Sequence, residues 1–192
     1  MTLKDVQLAA NQSNKSAAKY HFGSRDGLLE AVVEARMAPV NLRRRELLDE
    51  LERSGSVDVR RAVEALVRPL AAETLGRPGS RYARFLAQTL LDPALREIVE
   101  RHLSAESYRA AHRLIVDLAP VADDVARRRA DNVVMLAVVA LAAREGHDRT
   151  AEQTSALVAD LVDMCVAAVE APTSVPAPAD TDALAEPRRR SL

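Results

Sequence analysis

Tryptophan is absent from this chain, aromatic residues make up only 3% of it, and cysteine occurs once, at Cys165. A single thiol excludes an internal disulfide framework and any zinc site built on several cysteines. With so few rings, a core must be filled by aliphatic side chains. Hydrophobic residues still amount to 48% of the 192, and the abundance of Ala, Val, Leu and Arg favours helices over sheets. No run of about 18 uncharged apolar residues is present, so no membrane-crossing segment is expected. Charge and amides interrupt the opening MTLKDVQLAANQSNK too early for a signal peptide, and a reducing cytoplasm is the expected location. No stretch alternates apolar and polar residues with period two, which leaves no strand candidate.

The patterns of catalysis and metal binding are missing as well. There is no glycine-rich phosphate loop and no Gly-x-Ser-x-Gly elbow. The four histidines, His21, His102, His112 and His147, stand in no ligand spacing with one another, with Cys165 or with a carboxylate. Acidic residues fall on helix faces, where solvated ion pairs are far commoner than acid–base chemistry. The expectation is a protein that is not an enzyme and holds neither metal nor cofactor, with Cys165 as a small buried apolar residue among Leu161, Val162, Ala168 and Val169.

What the chain does have is helical periodicity almost from end to end. Residues 3–10 place Leu3, Val6 and Ala10 on one face, NQSN makes a polar turn, and KSAAKYHF is a second short helix, broken at Gly23. Ser24 is placed to cap a long helix that runs through LLEAVVEARMAPVNLRRRELLDELE, with a kink expected at Pro39, and stops at Ser54-Gly55-Ser56. From Val57 to Leu75, Val59, Val63, Leu66, Val67, Leu70 and Ala71 recur at helical spacing with a bend at Pro69, and Gly76-Arg77-Pro78-Gly79 breaks the chain. SRYARFLAQTLL reads as a short helix. Asp92-Pro93 is expected to open a helix that reaches about Leu118, and another runs from about Val121 to Arg144 with Gly146 at its C-terminal cap. Thr150 with Gln153 has the capping-box pattern and starts the last helix, to about Val169. Four of the nine prolines fall from Pro172 onward, before Arg188-Arg189-Arg190, so residues 172–192 are expected to be disordered. The fold class expected is all-α.

The net charge of −1 does not advertise a polyanion as partner. Its distribution is uneven, however. Residues 1–45 hold eight lysines and arginines against four acids, +4, and the rest of the chain carries −5. Such a basic head on an acidic body suits a DNA-facing module, although charge also fluctuates along any chain. The head adds geometry to the charge. Two short helices separated by NQSN have the spacing of a helix-turn-helix, whose second helix enters the major groove. Here that helix offers Ser13, Asn14, Lys15, Ser16, Lys19, Tyr20 and His21, side chains that can reach base edges or phosphates. Two short helices around a polar turn also occur in many helical proteins that bind no DNA.

Thr2 to Leu29, and most specifically YHFGSRDGLLEAV at residues 20–32, resembles the end of the DNA-binding domain of TetR-type transcriptional regulators. The resemblance implies an N-terminal helix-turn-helix, incomplete here, joined to a larger helical domain that binds an effector and dimerises: residues 1–30 and 31–171. It implies that Lys15, Ser16, Lys19 and Tyr20 face the groove, that Tyr20 and Arg25 meet phosphates, with Thr2 and Lys4 near the backbone, and that Phe22 and Leu28 pack the head onto the long helix. Asn11 stands where the family often has glycine, and Lys19 where a polar or aromatic residue is common, so base preference does not carry over. The family also has an amphipathic helix ahead of this motif, whereas this sequence opens inside the equivalent of the second helix. Losing three or four buried apolar side chains would cost on the order of 5–10 kcal/mol, so the expectation is either residues upstream of Met1 or a loose head that binds DNA poorly.

In the body, Tyr82, Phe85, Leu86 and Thr89 share one helix face, and Tyr108, His112 and Ile115 another. In an aromatic-poor chain these are the residues able to line a ligand cavity with a few polar points, although core packing is the commoner role for any one of them. By the resemblance, Asn132 and Met135 on the next helix would join an effector pocket. The last two helices, about 121–145 and 150–170, carry aliphatic faces: Val133, Leu136, Val139 and Ala140, then Leu157, Leu161, Ala168 and Val169. Such faces suit a four-helix packing between two chains, and the resemblance implies the same dimer. The functional expectation is a ligand-responsive repressor that binds a near-palindromic double-stranded DNA operator as a homodimer, with a small-molecule effector. The alternative is a helical dimeric ligand-binding or interaction protein that has lost operator binding.

Overall fold

The computed structural model describes residues 24–91 and 105–174. The two short helices of the head, the start of the helix expected at Asp92-Pro93 and the tail from residue 175 lie outside the described residues. Within them the chain is all helical, with six α-helices and no strand: α1 (Arg25–Ser54), α2 (Val59–Thr74), α3 (Tyr82–Leu91), α4 (Glu106–Leu118), α5 (Asp123–Arg144) and α6 (Ala151–Glu170).

The helix ends follow from local chemistry. At the start of α1 the Ser24 hydroxyl accepts from the Gly27 N–H at 3.0 Å, and at its end Gly55 takes the left-handed conformation, φ 64°, that stops a helix at little cost to glycine. Asp58 caps α2 by accepting from the Arg61 N–H at 2.8 Å. Thr150 and Gln153 form the reciprocal capping box at the head of α6, at 3.1 and 2.9 Å. Both Pro39 and Pro69 lie inside helices that continue past them. The cap of α5 is Glu145 rather than Gly146, which follows it at φ 80°.

One expected boundary is corrected. The helix ending at Leu118 does not extend back in one piece to Asp92, because Ala105 has ψ 142°, far from helical, and α4 begins after it at Glu106. From there α4 packs against α1, α2 and α5.

The centre of the bundle is α2, which touches all five other described helices. Its sequence explains this position. Val59, Val63, Leu66, Val67 and Leu70 are buried along with Ala62, Ala65 and Ala71, so apolar surface runs most of the way round it and the small residues let neighbours approach closely. Aliphatic residues fill the core, with Tyr82 and Phe85 stacked at 5.9 Å as its principal rings. Cys165 is fully buried there, and the apolar surroundings push its thiol up to about 11. Because only the thiolate reacts, a chromogenic disulfide reagent at pH 8 should modify native Cys165 roughly two orders of magnitude more slowly than the chain unfolded in guanidinium. Comparable rates in the two states would place the thiol outside the core.

Two buried acids hold the bundle together. Glu73 of α2 pairs with Arg36 of α1 at 3.1 Å and with Arg77 at 2.9 Å, and the Arg36 guanidinium lies 5.9 Å from the centre of the Tyr82 ring. Glu145, 1% exposed, does a different job. Its carboxylate accepts from the Ser80 hydroxyl at 2.7 Å and from the backbone N–H groups of Ala83 and Arg84, both at 3.1 Å. It therefore caps the start of α3 from across the fold, where the unpaired N–H groups of a helix favour an anion. Arg84 returns the contact, donating to the carbonyls of Ala142 at 3.2 Å and Glu145 at 2.6 Å. The beginning of α3 is thus fastened to the end of α5.

Candidate functional site

Five helices converge on a cavity of about 30 Å³. Seven residues separate Met37 and Arg44 of α1, which puts them on the stripe that also carries Val33, Val40 and Leu51 into the core. Helix spacing of four brings in Leu66 with Leu70 from α2 and Leu86 with Leu90 from α3. Tyr108 closes one side from α4, and Val134, Ala137 and Val138 line it from α5. The free space is enough for one or two water molecules at roughly 10–15 Å³ each, and in this conformation it is not open to a larger guest.

The walls are almost wholly apolar, and Arg44 is the exception. It is 2% exposed. Its Nη1 donates to Asn41 Oδ1 at 2.7 Å, while its buried Nε has no acceptor. The Ser107 hydroxyl points to the same Asn41 oxygen from 3.5 Å. No carboxylate among the described residues pairs with Arg44; its guanidinium instead lies 5.8 Å from the centre of the Tyr108 ring. Burial lowers the Arg44 pKa to about 10, offset in part by Tyr108, so the group is still a cation at neutral pH. The contrast with Arg36, neutralised by Glu73, sets Arg44 apart: a charge placed among apolar walls with its donors incompletely used.

Tyr108 also borders an open groove of about 500 Å³ between α4 and α5. The groove is polar, with Arg109, Arg113 and Arg127 set among Asp117, Asp123 and Asp131. His112 Nε2 lies 2.9 Å from Asp131 Oδ1, and its ring stands 6.0 Å from that of Tyr108. Burial raises the Tyr108 phenol, helped by Asp131 and opposed by Arg44, and so keeps it protonated.

The residues expected to form a ligand pocket are distributed differently. Tyr108 lines the cavity and the groove, and His112 lines the groove alone. Tyr82 and Phe85 are buried core residues outside the cavity wall, to which α3 contributes Leu86 and Leu90. Thr89 is buried too, with its hydroxyl turned back to the Leu86 carbonyl at 2.7 Å. Asn132 and Met135 are corrected as pocket residues: both are exposed on the outer face of α5, while Val134, Ala137 and Val138 of the same helix turn inward. Arg44 was not foreseen, since LRRRELL reads as a solvated basic run. The signal was its register, seven residues after Met37.

Of the expected DNA-contacting residues, Thr2, Lys4, Ser13, Asn14, Lys15, Ser16, Lys19, Tyr20 and His21 lie outside the described residues. Arg25 is the first residue of α1, and its side chain lies outside them as well. Among the described residues no cluster of His, Cys, Asp and Glu could hold a metal ion, and no helix is long and apolar enough to cross a membrane.

Of the residues expected to meet a second chain, Leu136 and Val139 are exposed and the others are buried or half-buried. Val133, Ala140, Leu161 and Val169 are buried in the chain's own core, and Leu157 and Ala168 are half-buried. The apolar residues left outside are Met135 (46% exposed), Leu136 (36%) and Val139 (54%) on α5, and Met164 (40%) on α6. The reason is the helix period: Val133 and Ala137 are one turn apart on the inner face, and Met135 and Val139 one turn apart on the outer. Compared with protein-family models, with curated protein sequences and with solved structures, the chain matches none.

Proposed function

We propose that this chain is a ligand-responsive, DNA-binding transcriptional regulator of the TetR type, a repressor that acts as a homodimer on a near-palindromic operator. The observation that carries the reading is the sequence YHFGSRDGLLEAV at residues 20–32, which resembles the end of a TetR-type recognition helix and the segment that follows it. The Ser24 cap of α1 and the all-helical bundle around an apolar cavity support it. The recognition helix supplies Ser13, Asn14, Lys15, Ser16, Lys19, Tyr20 and His21, with Thr2, Lys4 and Arg25 on the phosphates. The effector is a small molecule held in the cavity, and repression is relieved as far as the effector prefers a geometry unsuited to DNA.

A second copy of this chain is the partner of the exposed α5–α6 face. The two helices have 22 and 20 residues and pack against each other. At 1.5 Å per residue they span roughly 30 Å, and two helix widths of about 10 Å give a patch near 600 Å² per copy, about 1,200 Å² in all. That reaches the lower end of what a stable interface needs. Paired across a two-fold axis, the copies form a four-helix packing.

The test is DNA binding by electrophoretic shift with the DNA flanking the chain's own gene, repeated over a range of salt. Binding should weaken steeply with salt, and Lys15→Ala or Arg25→Ala should each lower the log–log slope by about 1 for every phosphate that the side chain neutralises per head. Slopes unchanged in both variants would remove these residues from the interface, and no shift with any flanking fragment in dilute buffer, by a version that carries any in-frame residues upstream of Met1, would overturn the reading.

A further inference from the structure

Arg44 is a buried fork of donors, charged, facing apolar walls, with Nε unmatched and no carboxylate among the described residues to neutralise it. Neither stability nor packing accounts for a cation in such a place, since an apolar side chain of the same length would fill it without the cost of desolvation. From this geometry we infer that the cavity takes an apolar monocarboxylate, its two oxygens on the Arg44 guanidinium and its hydrocarbon body against Leu66, Leu70 and Leu86.

The charge decides between anions. One guanidinium and one carboxylate cancel, and the planar fork matches the two carboxylate oxygens in parallel hydrogen bonds. A phosphate dianion would leave a net charge among leucines, with no second cation on the wall to meet it. A neutral alcohol would leave Arg44 uncompensated, and an amine would repel it. The hydrocarbon body is required by the wall, where Tyr108 is the one other residue with a polar group. Room for that body comes from Met37, an unbranched side chain with three rotatable bonds that adapts to irregular space. The groove bordered by Tyr108 offers a polar approach to that wall, its three arginines balanced by three aspartates. Arg44 stays protonated throughout the neutral range, so binding is not gated by its titration.

The inference deepens the effector reading and rests on it for its regulatory meaning, but it is tested without DNA. Isothermal titration of the full chain with hexanoate, hexanol and hexylamine should find hexanoate bound at least about tenfold more tightly than hexanol, and hexylamine not at all. Across straight-chain acids from butanoate upward, affinity should rise roughly fourfold per methylene until the space is filled. Arg44→Met should erase the preference for hexanoate over hexanol while leaving the melting temperature equal to or above that of the parent chain, and Arg44→Lys should keep part of it. Equal binding of hexanoate and hexanol by the parent chain would overturn the inference. So would a preference that survives in Arg44→Met, or no binding of any acid from butanoate to decanoate at millimolar concentration. A chain that takes hexanoate but shifts no DNA upholds this inference and defeats the regulator. A chain that shifts DNA with no preference for carboxylates does the reverse.

Discussion

Replacing Glu145 with alanine should lower the stability of the folded chain by about 4 kcal/mol. Three donors converge on its carboxylate, the Ser80 hydroxyl and the N–H groups of Ala83 and Arg84, and the side chain is almost fully enclosed. Each hydrogen bond to a charged group contributes roughly 1.5–3 kcal/mol, and a buried donor left without an acceptor costs about as much again in lost hydration. The full sum is not reached, because water can enter the space vacated by the side chain and satisfy part of the set. For a chain of this size about 4 kcal/mol corresponds to a fall of roughly 8–16 °C in melting temperature, readable by circular dichroism. Glu145→Gln should lose about half as much. The amide keeps one acceptor oxygen, but its NH2 meets a donor where the second oxygen stood. An alanine variant within about 1 kcal/mol of the parent would mean that the start of α3 is capped by something other than this carboxylate.

A glutamate at position 139 should split the proposed dimer and leave each protomer folded. Val139 is more than half exposed within one chain, so its replacement disturbs few internal contacts. Across a two-fold interface the substitution enters twice, in the α5 stripe formed by Met135, Leu136 and Val139. Two carboxylates without partners in an apolar contact cost roughly 4–6 kcal/mol together, three to four orders of magnitude in the dissociation constant. Light scattering coupled to size exclusion should therefore find a dimer for the parent chain at micromolar concentration and a monomer for Val139→Glu, with the helical signal unchanged. Because two heads on one operator depend on that dimer, affinity for DNA should collapse in the same variant. A parent chain that elutes as a monomer, or a Val139→Glu chain that stays dimeric, would take this face out of the assembly.

The ends of helices were the most legible part of the sequence. Ser24, Gly55 and the Thr150–Gln153 pair stand where local chemistry requires them, and each depends on residues within three or four positions of itself. Features that depend on distant partners were not legible. Glu145 looks like any acid at the end of a helix, and its role exists only because Ser80 and the first turn of α3, some sixty residues earlier, arrive beside it. Arg44 lies between Arg43 and Arg45, both exposed, and composition cannot say which of three arginines turns inward. Phase could have said so, since Val33, Met37, Val40, Arg44 and Leu51 follow one helical stripe and the others do not. On α5 the error was one of phase as well. Inner and outer faces are both aliphatic, so periodicity alone could not assign Val133 to the core and Met135 to the surface.

The joint between Glu145 and Arg84 also has a mechanical consequence. It ties α3 to α5 at one end, and these two helices provide Leu86, Leu90, Val134 and Val138 around the same void. Half of the lining therefore behaves as one stiff jaw. Any guest larger than the resting void must find its clearance on the opposite side, by displacing α1 or swinging Tyr108 on α4. Strain from an oversized occupant would then collect in α1, the thirty-residue rod whose first turn adjoins the N-terminal residues, rather than spread evenly through the bundle.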